Sequence, residues 1–504
     1  MPQVIQPYAD PSILENHASR HVKGGLDPLS ASDIGAADVG HNHDSAYASE
    51  SHNHDSAYAP KSHNHNSVYA VKEHDHAGVY AELDSDGTVK AEQLPASIPV
   101  SVEWDIINGK PDSFPPSEHT HSEYALVGHT HDEEPEYWGF DIDFSVSNPA
   151  SCITFTGNAA LLTAAERKAW VYTLVSPNTV KNARINYALD RANLAKKADG
   201  SASNLTGTDG DVCASFRPIW WKANKHGTIL SVKIYLEEVP GAATAHRFNG
   251  SIREYVHIGM FEATGSTCAS IYSTSTTPTV SQTLNTFRTQ AKTKGGTYNP
   301  VTFLTWTMYQ LLYIMAYGTL NTQAKTGNGN VSTSASIAVG SASLLTANGE
   351  YGSTTASNTH CMALYVVNPW GNVWMFLDGI IWNSGNVAML TDQADVYNIE
   401  SGYASRPATW HAFASGITAA DGAGGYCTSF GGDAYGVTYP ASYGGTSETH
   451  VCDYFYMTTG ERCCLFGGGW DNGARAGLFS LSCYYALSVS GAAVGARVQI
   501  LNAV

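Results

Sequence analysis

The chain has 504 residues, 43% of them hydrophobic and only 14% charged, with a formal net charge of −18. At roughly 100–200 residues per domain it is too long for one ordinary domain, and it carries ample apolar material for a large core. The acidic balance and the lack of any long basic run argue against a nucleic-acid partner.

The opening residues, MPQVIQPYADPSILENH, show no basic stretch leading into an apolar one, so no secretory leader is expected. Residues 1–36 are polar and mixed, with turn signals at Gly24-Gly25 and Asp27-Pro28. From residue 37 to 136 the chain becomes histidine-rich and nearly free of core-sized apolar runs. Twelve of the 20 His residues lie here in six His-x-His pairs. They are His41 with His43, His52 with His54, His63 with His65, His74 with His76, His119 with His121, and His129 with His131. The first four pairs recur every eleven residues, in the phrases HNHDSAYASES, HNHDSAYAPKS, HNHNSVYAVKE and HDHAGVY.

In an extended strand, residues i and i+2 point to the same side, so each pair aims two imidazoles in one direction. Neutral imidazole ligates iron, zinc, nickel or copper. One chain supplies two ligands per pair; three chains around a three-fold axis supply six, enough for an octahedral metal. An eleven-residue unit with one Tyr and a few small apolar residues cannot bury enough surface alone, so its partners must be other copies or other chains. The reading is of a metal-stapled shaft. A solvated, loosely metal-binding linker is the plainer alternative.

These pairs, set in SHNHDSAYA-type repeats beside WDIINGKPDSFPPSEHTHSEY (104–124) and HASRHVKGGLDPLSASDIGA (17–36), resemble the tail fibres of tailed bacteriophages. The resemblance implies a parallel homotrimer and a virion location after assembly in host cytoplasm. It also implies an N-terminus attached to baseplate or tail proteins. Metal would be held by six His from three chains at the twelve paired positions, iron first, with zinc or nickel as alternatives.

After Tyr137 the composition shifts to Trp, Tyr, Phe, Cys and Gly. We expect a connecting or accessory region at 137–209, ending in KKADGSASNLTGTDGD, read as a flexible loop, and a globular head at 210–504. The longest apolar stretch is FLTWTMYQLLYIMAYGTL, 303–320. Leu304, Met308, Leu311 and Met315 are spaced as on a core-packed helix, so membrane insertion is not expected. The nine Cys form no CxxC pair, which indicates neither a zinc site nor a disulfide framework, but reduced buried thiols. Gly371-Asn372 in NPWGNVWMFLDGIIW (368–382) predicts a turn, as do Gly467–Gly469 and Asn472-Gly473 in LFGGGWDNGARAGLFSLSCYYALSVSGAAVGARVQIL (465–501). Gly495-Ala496-Arg497 opens the last expected strand.

Taken in this order, the two segments resemble the C-type-lectin-like fold. Formylglycine-generating-enzyme-like domains, phage receptor-binding proteins and the variable proteins of diversity-generating retroelements share that fold. Gly371, Asn372, Val373 and Trp374 match one motif. Gly467, Gly468, Trp470, Gly473, Ala476, Gly477, Phe479, Gly495 and Arg497 match the other. The resemblance implies an elongated mostly-β trimeric shaft followed by an α+β C-type-lectin-like head. It also implies an outward binding set of Asp471, Asn472, Arg475, Ser480, Ser482, Tyr484, Tyr485 and Ser488. Tyr supplies rigid amphipathic contact, Ser and Asn adaptable hydrogen bonds, and Arg a fork for carboxylate or phosphate. For Tyr484, Tyr485 and Trp470, packing into the scaffold is the alternative.

The chain departs from the enzyme branch, because adjacent Cys463 and Cys464 cannot easily present two thiolates to one metal. Asp378, Asp392 and Asp453 show no spacing that singles out a catalytic carboxylate pair. The expected function is non-catalytic adhesion to a bacterial surface glycan or protein through the head. The alternatives are a purely structural tail or baseplate component and a surface-polysaccharide depolymerase.

Overall fold

The computed structural model describes residues 135–503, apart from 419, 421 and 432. The twelve expected metal ligands precede that range. His41, His43, His52, His54, His63, His65, His74, His76, His119, His121, His129 and His131 all lie outside the described residues. The expected attachment segment 1–36 and nearly all of the expected shaft 37–136 lie outside them too. The described part is mostly β with few helices, and includes a sheet curled into a half-barrel.

The described chain begins with β1 (Trp138–Asp143) and β2 (Ile153–Gly157), then enters helix α1 (Ala164–Thr173). A capping box starts that helix: Glu166 N–H donates to the Thr163 hydroxyl (3.3 Å), and Thr163 N–H donates to the Glu166 carboxylate (2.8 Å). Strands β3 (Val175–Lys181), β4 (Arg184–Ala188), β5 (Asp211–Phe216), β6 (Trp220–His226) and β7 (Ile229–Tyr235) follow. One sheet has the order β2-β1-β7-β6. In β1, Phe140 and Ile142 are buried while Asp141 and Asp143 are half-exposed, the alternation of a sheet packed on one face.

Residues 137–209 are not a separate connecting region. β1 pairs with β7 and β3 with β5 along their lengths, so strands before residue 210 complete sheets whose other strands come after it. The intervening loop is tied down by its own polar side chains. Asp190, Asp199 and Asn204 each accept the N–H two residues on, and Leu194 N–H donates to Leu345 O (2.7 Å).

A two-stranded ribbon, β8 (Arg247–Phe248) and β9 (Ser251–Ile252), leads to β10 (Val256–Gly259), α2 (Leu284–Lys292), β11 (Tyr298–Pro300), α3 (Phe303–Tyr317) and α4 (Thr322–Thr326). The expected core helix is α3. It starts where the Thr302 hydroxyl accepts from Thr305 N–H, stops at left-handed Gly318, and is buried along all fifteen residues. It packs against α1 on one side and the central strand β14 (Trp374–Asn383) on another, reached after the short pair β12 (Met362–Ala363) and β13 (Val366–Val367).

The remaining strands are β15 (Asn386–Met389), β16 (His411–Ala414), β17 (Gly424–Phe430), β18 (Pro440–Tyr443), β19 (Tyr454–Met457), β20 (Glu461–Gly467), β21 (Gly477–Cys483), β22 (Val494–Gly495) and β23 (Val498–Leu501). All but β23 join β14 in a nine-stranded sheet ordered β16-β15-β14-β20-β21-β19-β17-β18, with β22 beside β14. β23 instead completes the sheet β11-β23-β10-β5-β3-β4. Because β14 is covered on both faces, it reads as a continuous apolar run, WMFLDGIIW. Its one charge, Asp378, is neutralised in place by Arg288 of α2 (2.6 and 3.0 Å), Asn299 (2.6 Å) and Gly379 N–H (2.7 Å).

The two motif segments meet. Gly371 N–H donates to Gly467 O (3.1 Å), so the 368–374 turn lies against the end of β20. Arg497 is fully buried and donates to the carbonyls of Gly259, Met260, Val367 and Asn368 at 2.6–3.0 Å. Asn372, in the left-handed region, and Asn368 both donate to Glu262 Oε1, at 2.8 and 2.9 Å.

Candidate binding surface

Strand β19 carries YFYM, and its alternation sorts the residues. Phe455 and Met457 are buried, while Tyr454 and Tyr456 are half-buried on the other face. Tyr426 of β17 lies directly opposite Tyr454, and their rings meet edge to face at 5.2 Å. Tyr454 and Tyr456 are 4.5 Å apart, and Trp374 packs edge-on to Tyr456 at 5.8 Å. The register opposes Tyr456 with Gly424, where a Cβ would come within 2.6 Å of Phe455 O and 2.8 Å of the Tyr454 ring. Gly424 thus leaves room for the aromatic row.

The 468–476 turn brings polar groups to this row. Gly468 has φ +82 and no space for a Cβ, which would sit 2.7 Å from that of Ala476. The Asn472 side chain accepts from Gly469 N–H (2.7 Å). Gln323 of α4 donates to the carbonyls of Gly473 and Ala476, both at 2.9 Å, and Thr333 N–H donates to Trp470 O (2.8 Å). So anchored, the turn holds Asp471 and Arg475 exposed and Asn472 half-buried, its amide donating to the Tyr456 hydroxyl (3.4 Å). Trp470 is half-buried against the core.

The Arg475 guanidinium lies over the Tyr454 ring, 5.0 Å from its centroid. The neighbouring Tyr456 hydroxyl holds the guanidinium above the ordinary arginine pKa. Burial, then the guanidinium, act on the Tyr456 hydroxyl in opposite senses, and burial prevails to raise its pKa. Arg475 has no carboxylate within salt-bridge distance among the described residues, and is the one Lys or Arg in the stretches 424–430, 440–457 and 470–491.

The 484–491 loop closes the other side. Cys463 donates its thiol to the carbonyls of Tyr485 (3.6 Å) and Ala486 (3.4 Å), pinning the loop over β20. Tyr484 is 46% exposed, Tyr485 is half-buried and 5.5 Å from it, and Ser488 is exposed. Burial, and next the Asp471 carboxylate, raise the Tyr485 pKa.

Of the eight residues expected to face outward, Asp471, Arg475, Tyr484 and Ser488 do so, and Asn472 and Tyr485 partly do. Ser480 and Ser482 do not: each is 1% exposed. They lie on β21, an interior strand between β19 and β20 whose seven residues are all buried. Ser480 donates to Tyr454 O (3.1 Å), and Ser482 is the register partner of Tyr456. Both are buried in the strand beside the aromatic row instead of in it. Tyr426, Tyr454 and Tyr456 belong to none of the expected motifs. The alternation in YFYM is the one local signal for Tyr454 and Tyr456.

The carboxylates considered for catalysis each hold structure. Asp378 pairs with Arg288, Asp392 accepts the N–H groups of Asn249 (2.9 Å) and Gly250 (2.7 Å), and Asp453 accepts Phe479 N–H (2.7 Å). Burial pushes the Asp453 carboxyl well above the usual range. Among the described residues no three His, Cys, Asp or Glu side chains are grouped to hold a metal. The paired histidines from His41 and His43 through His129 and His131 precede the described residues. Neither a family model nor a curated protein matches this chain.

Proposed function

We propose that this protein is a phage tail-fibre or receptor-binding protein that adheres to the bacterial surface through its C-terminal domain, without catalysis. The observation that carries the reading is the tyrosine row Tyr426–Tyr454–Tyr456 with Arg475 laid across it and the Tyr484–Tyr485 loop beside it. Tyrosine and arginine are among the side chains that dominate protein recognition surfaces, and this guanidinium has no carboxylate within salt-bridge distance among the described residues.

The lectin-like reading of the head gains support from the contact between the two motif segments that carry the resemblance. In this reading, residues 37–136 form a homotrimeric shaft. Its six pairs (His41 and His43, His52 and His54, His63 and His65, His74 and His76, His119 and His121, His129 and His131) hold metal between three chains. Residues 1–36 attach to the tail. Three heads per fibre make individually weak contacts multivalent.

The test is adsorption of labelled full-length protein to a panel of bacterial strains. A double variant, Tyr454→Ala with Arg475→Ala, should lose binding to any strain the wild type decorates while keeping its unfolding temperature. Undiminished binding by a folded double variant would remove this surface from the reading.

A further inference from the structure

We propose that Cys464 and Cys483 form an oxidation site, a cross-strand thiol pair that closes to a disulfide when the protein meets peroxide. In the antiparallel β20–β21 register Leu465 opposes Ser482, so one step outward along each strand sets Cys464 opposite Cys483. Their sulfurs are 3.2 Å apart. Both residues are free thiols and fully buried. Adjacent residues on a strand face opposite ways, so Cys463 is turned from this pair and bonds instead to the Tyr485 and Ala486 carbonyls. Directly opposed strand positions place Cβ atoms about 4.5–5.5 Å apart, near the range a disulfide spans, so closure needs small side-chain rotations and no strand rearrangement.

The chemistry balances with hydrogen peroxide as oxidant. One thiol sulfur attacks the peroxide, giving a sulfenic acid and one water. The second sulfur then attacks that sulfur, and its proton leaves with the displaced hydroxyl as a second water. Two thiols and one peroxide yield one disulfide and two waters. The Tyr439 hydroxyl, 3.4 Å from the Cys483 sulfur, is the polar neighbour that steadies the site. Burial raises the Cys464 thiol well above its ordinary range, so the reactive thiolate is scarce and closure is slow.

The closed loop would enclose the 468–476 turn that carries Asp471, Asn472 and Arg475, bracing its base. The reaction does not depend on the receptor-binding reading. Under that reading the pair would meet oxidant after leaving a reducing cytoplasm.

The experiment treats reduced full-length protein with millimolar hydrogen peroxide, alkylates it in denaturant and maps the peptides without reductant. The expected product is a peptide pair linked through Cys464 and Cys483. It should come with a rise in unfolding temperature on the order of 5 °C that dithiothreitol reverses. Cys463→Ser should keep both effects and Cys464→Ser should lose both. Recovery of both cysteines as alkylated thiols or as sulfinic acids in the wild type would overturn the proposal, as would a link through Cys463. The wild-type peptide map decides even if a variant fails to fold.

Discussion

Arg475 and Tyr454 come from segments 21 residues apart, yet the guanidinium lies 5.0 Å from the ring centroid, on the face where Tyr426 and Tyr456 converge. The contact joins a turn to a strand that are each held independently, by Gln323 and by the sheet register. The cation is therefore positioned before any ligand arrives. Preorganisation of this kind lowers the entropy lost on binding.

Removing either partner should weaken cell binding. For Arg475→Ala or Tyr454→Ala we expect a ten- to hundred-fold loss of affinity, about 1.4–2.8 kcal/mol, with stability changed by less than about 1 kcal/mol. Arg475→Lys should recover little, because an ammonium lacks the planar fork. Flow cytometry with labelled protein, run beside thermal unfolding, measures both quantities.

Arg497 should behave in the opposite way. It is fully buried and serves four backbone carbonyls. Arg497→Met removes all four of these guanidinium hydrogen bonds, leaving Met260 O only the Val367 N–H (2.8 Å), and should destabilise the fold by roughly 3–5 kcal/mol, enough to abolish soluble expression or lower the denaturant midpoint sharply. A soluble variant with a wild-type midpoint would contradict the role.

Two buried histidines make stability depend on pH. Burial lowers both His246 and His257 to about 4, below the ordinary value of 6.5. The unfolded chain therefore takes up protons that the fold refuses as pH falls below about 6.5. Stability present above that value is lost progressively down to about 4, by roughly 3 kcal/mol per histidine at most. Asp453, whose carboxyl burial raises, acts in the opposite sense within part of that window. The double variant His246→Gln with His257→Gln should accordingly show a shallower loss of stability than wild type between pH 7 and 4.5. Urea titrations at several pH values give the two slopes, and equal slopes would refute the assignment.

Metal removal tests the shaft. With six His-x-His pairs in each of three chains, the proposed trimer holds up to one metal per set of three pairs. Purified protein should contain bound iron, zinc or nickel by elemental analysis. Stripping it with a strong chelator should lower the melting temperature of the trimer while leaving the tyrosine row's fold unchanged. Replacing one pair, by His52→Ala with His54→Ala, should reduce the metal content by one ion per trimer.

Several features were legible in the sequence for local reasons. The spacing of Leu304, Met308, Leu311 and Met315 marked α3, and Gly371-Asn372 and Gly467–Gly469 marked turns. In each case the signal is intrinsic to a few residues: a helical period, or a backbone that needs positive φ. Which side chains face solvent was less legible. Ser480 and Ser482 alternate as an exposed pair would, but their strand has neighbours on both sides and is buried along all seven residues. Tyr454 and Tyr456 look like core residues by type and become surface because β19 has its apolar face filled by Phe455 and Met457.

Chain order misled in the same way at residue 210, where a loop rich in Gly, Asp and Ser looks like a boundary. β1 and β3 cross it to pair with β7 and β5, and a hydrogen-bonded ladder between distant strands leaves no trace in local composition. The sequence by itself determined the turns, the core helix and the types of side chain available for recognition, since these follow from nearest-neighbour chemistry. Only the tertiary structure decided that Arg475 rests on Tyr454, that Cys464 faces Cys483 and that two serines lie beneath the surface. Each depends on strand register, which is set by packing across the whole sheet.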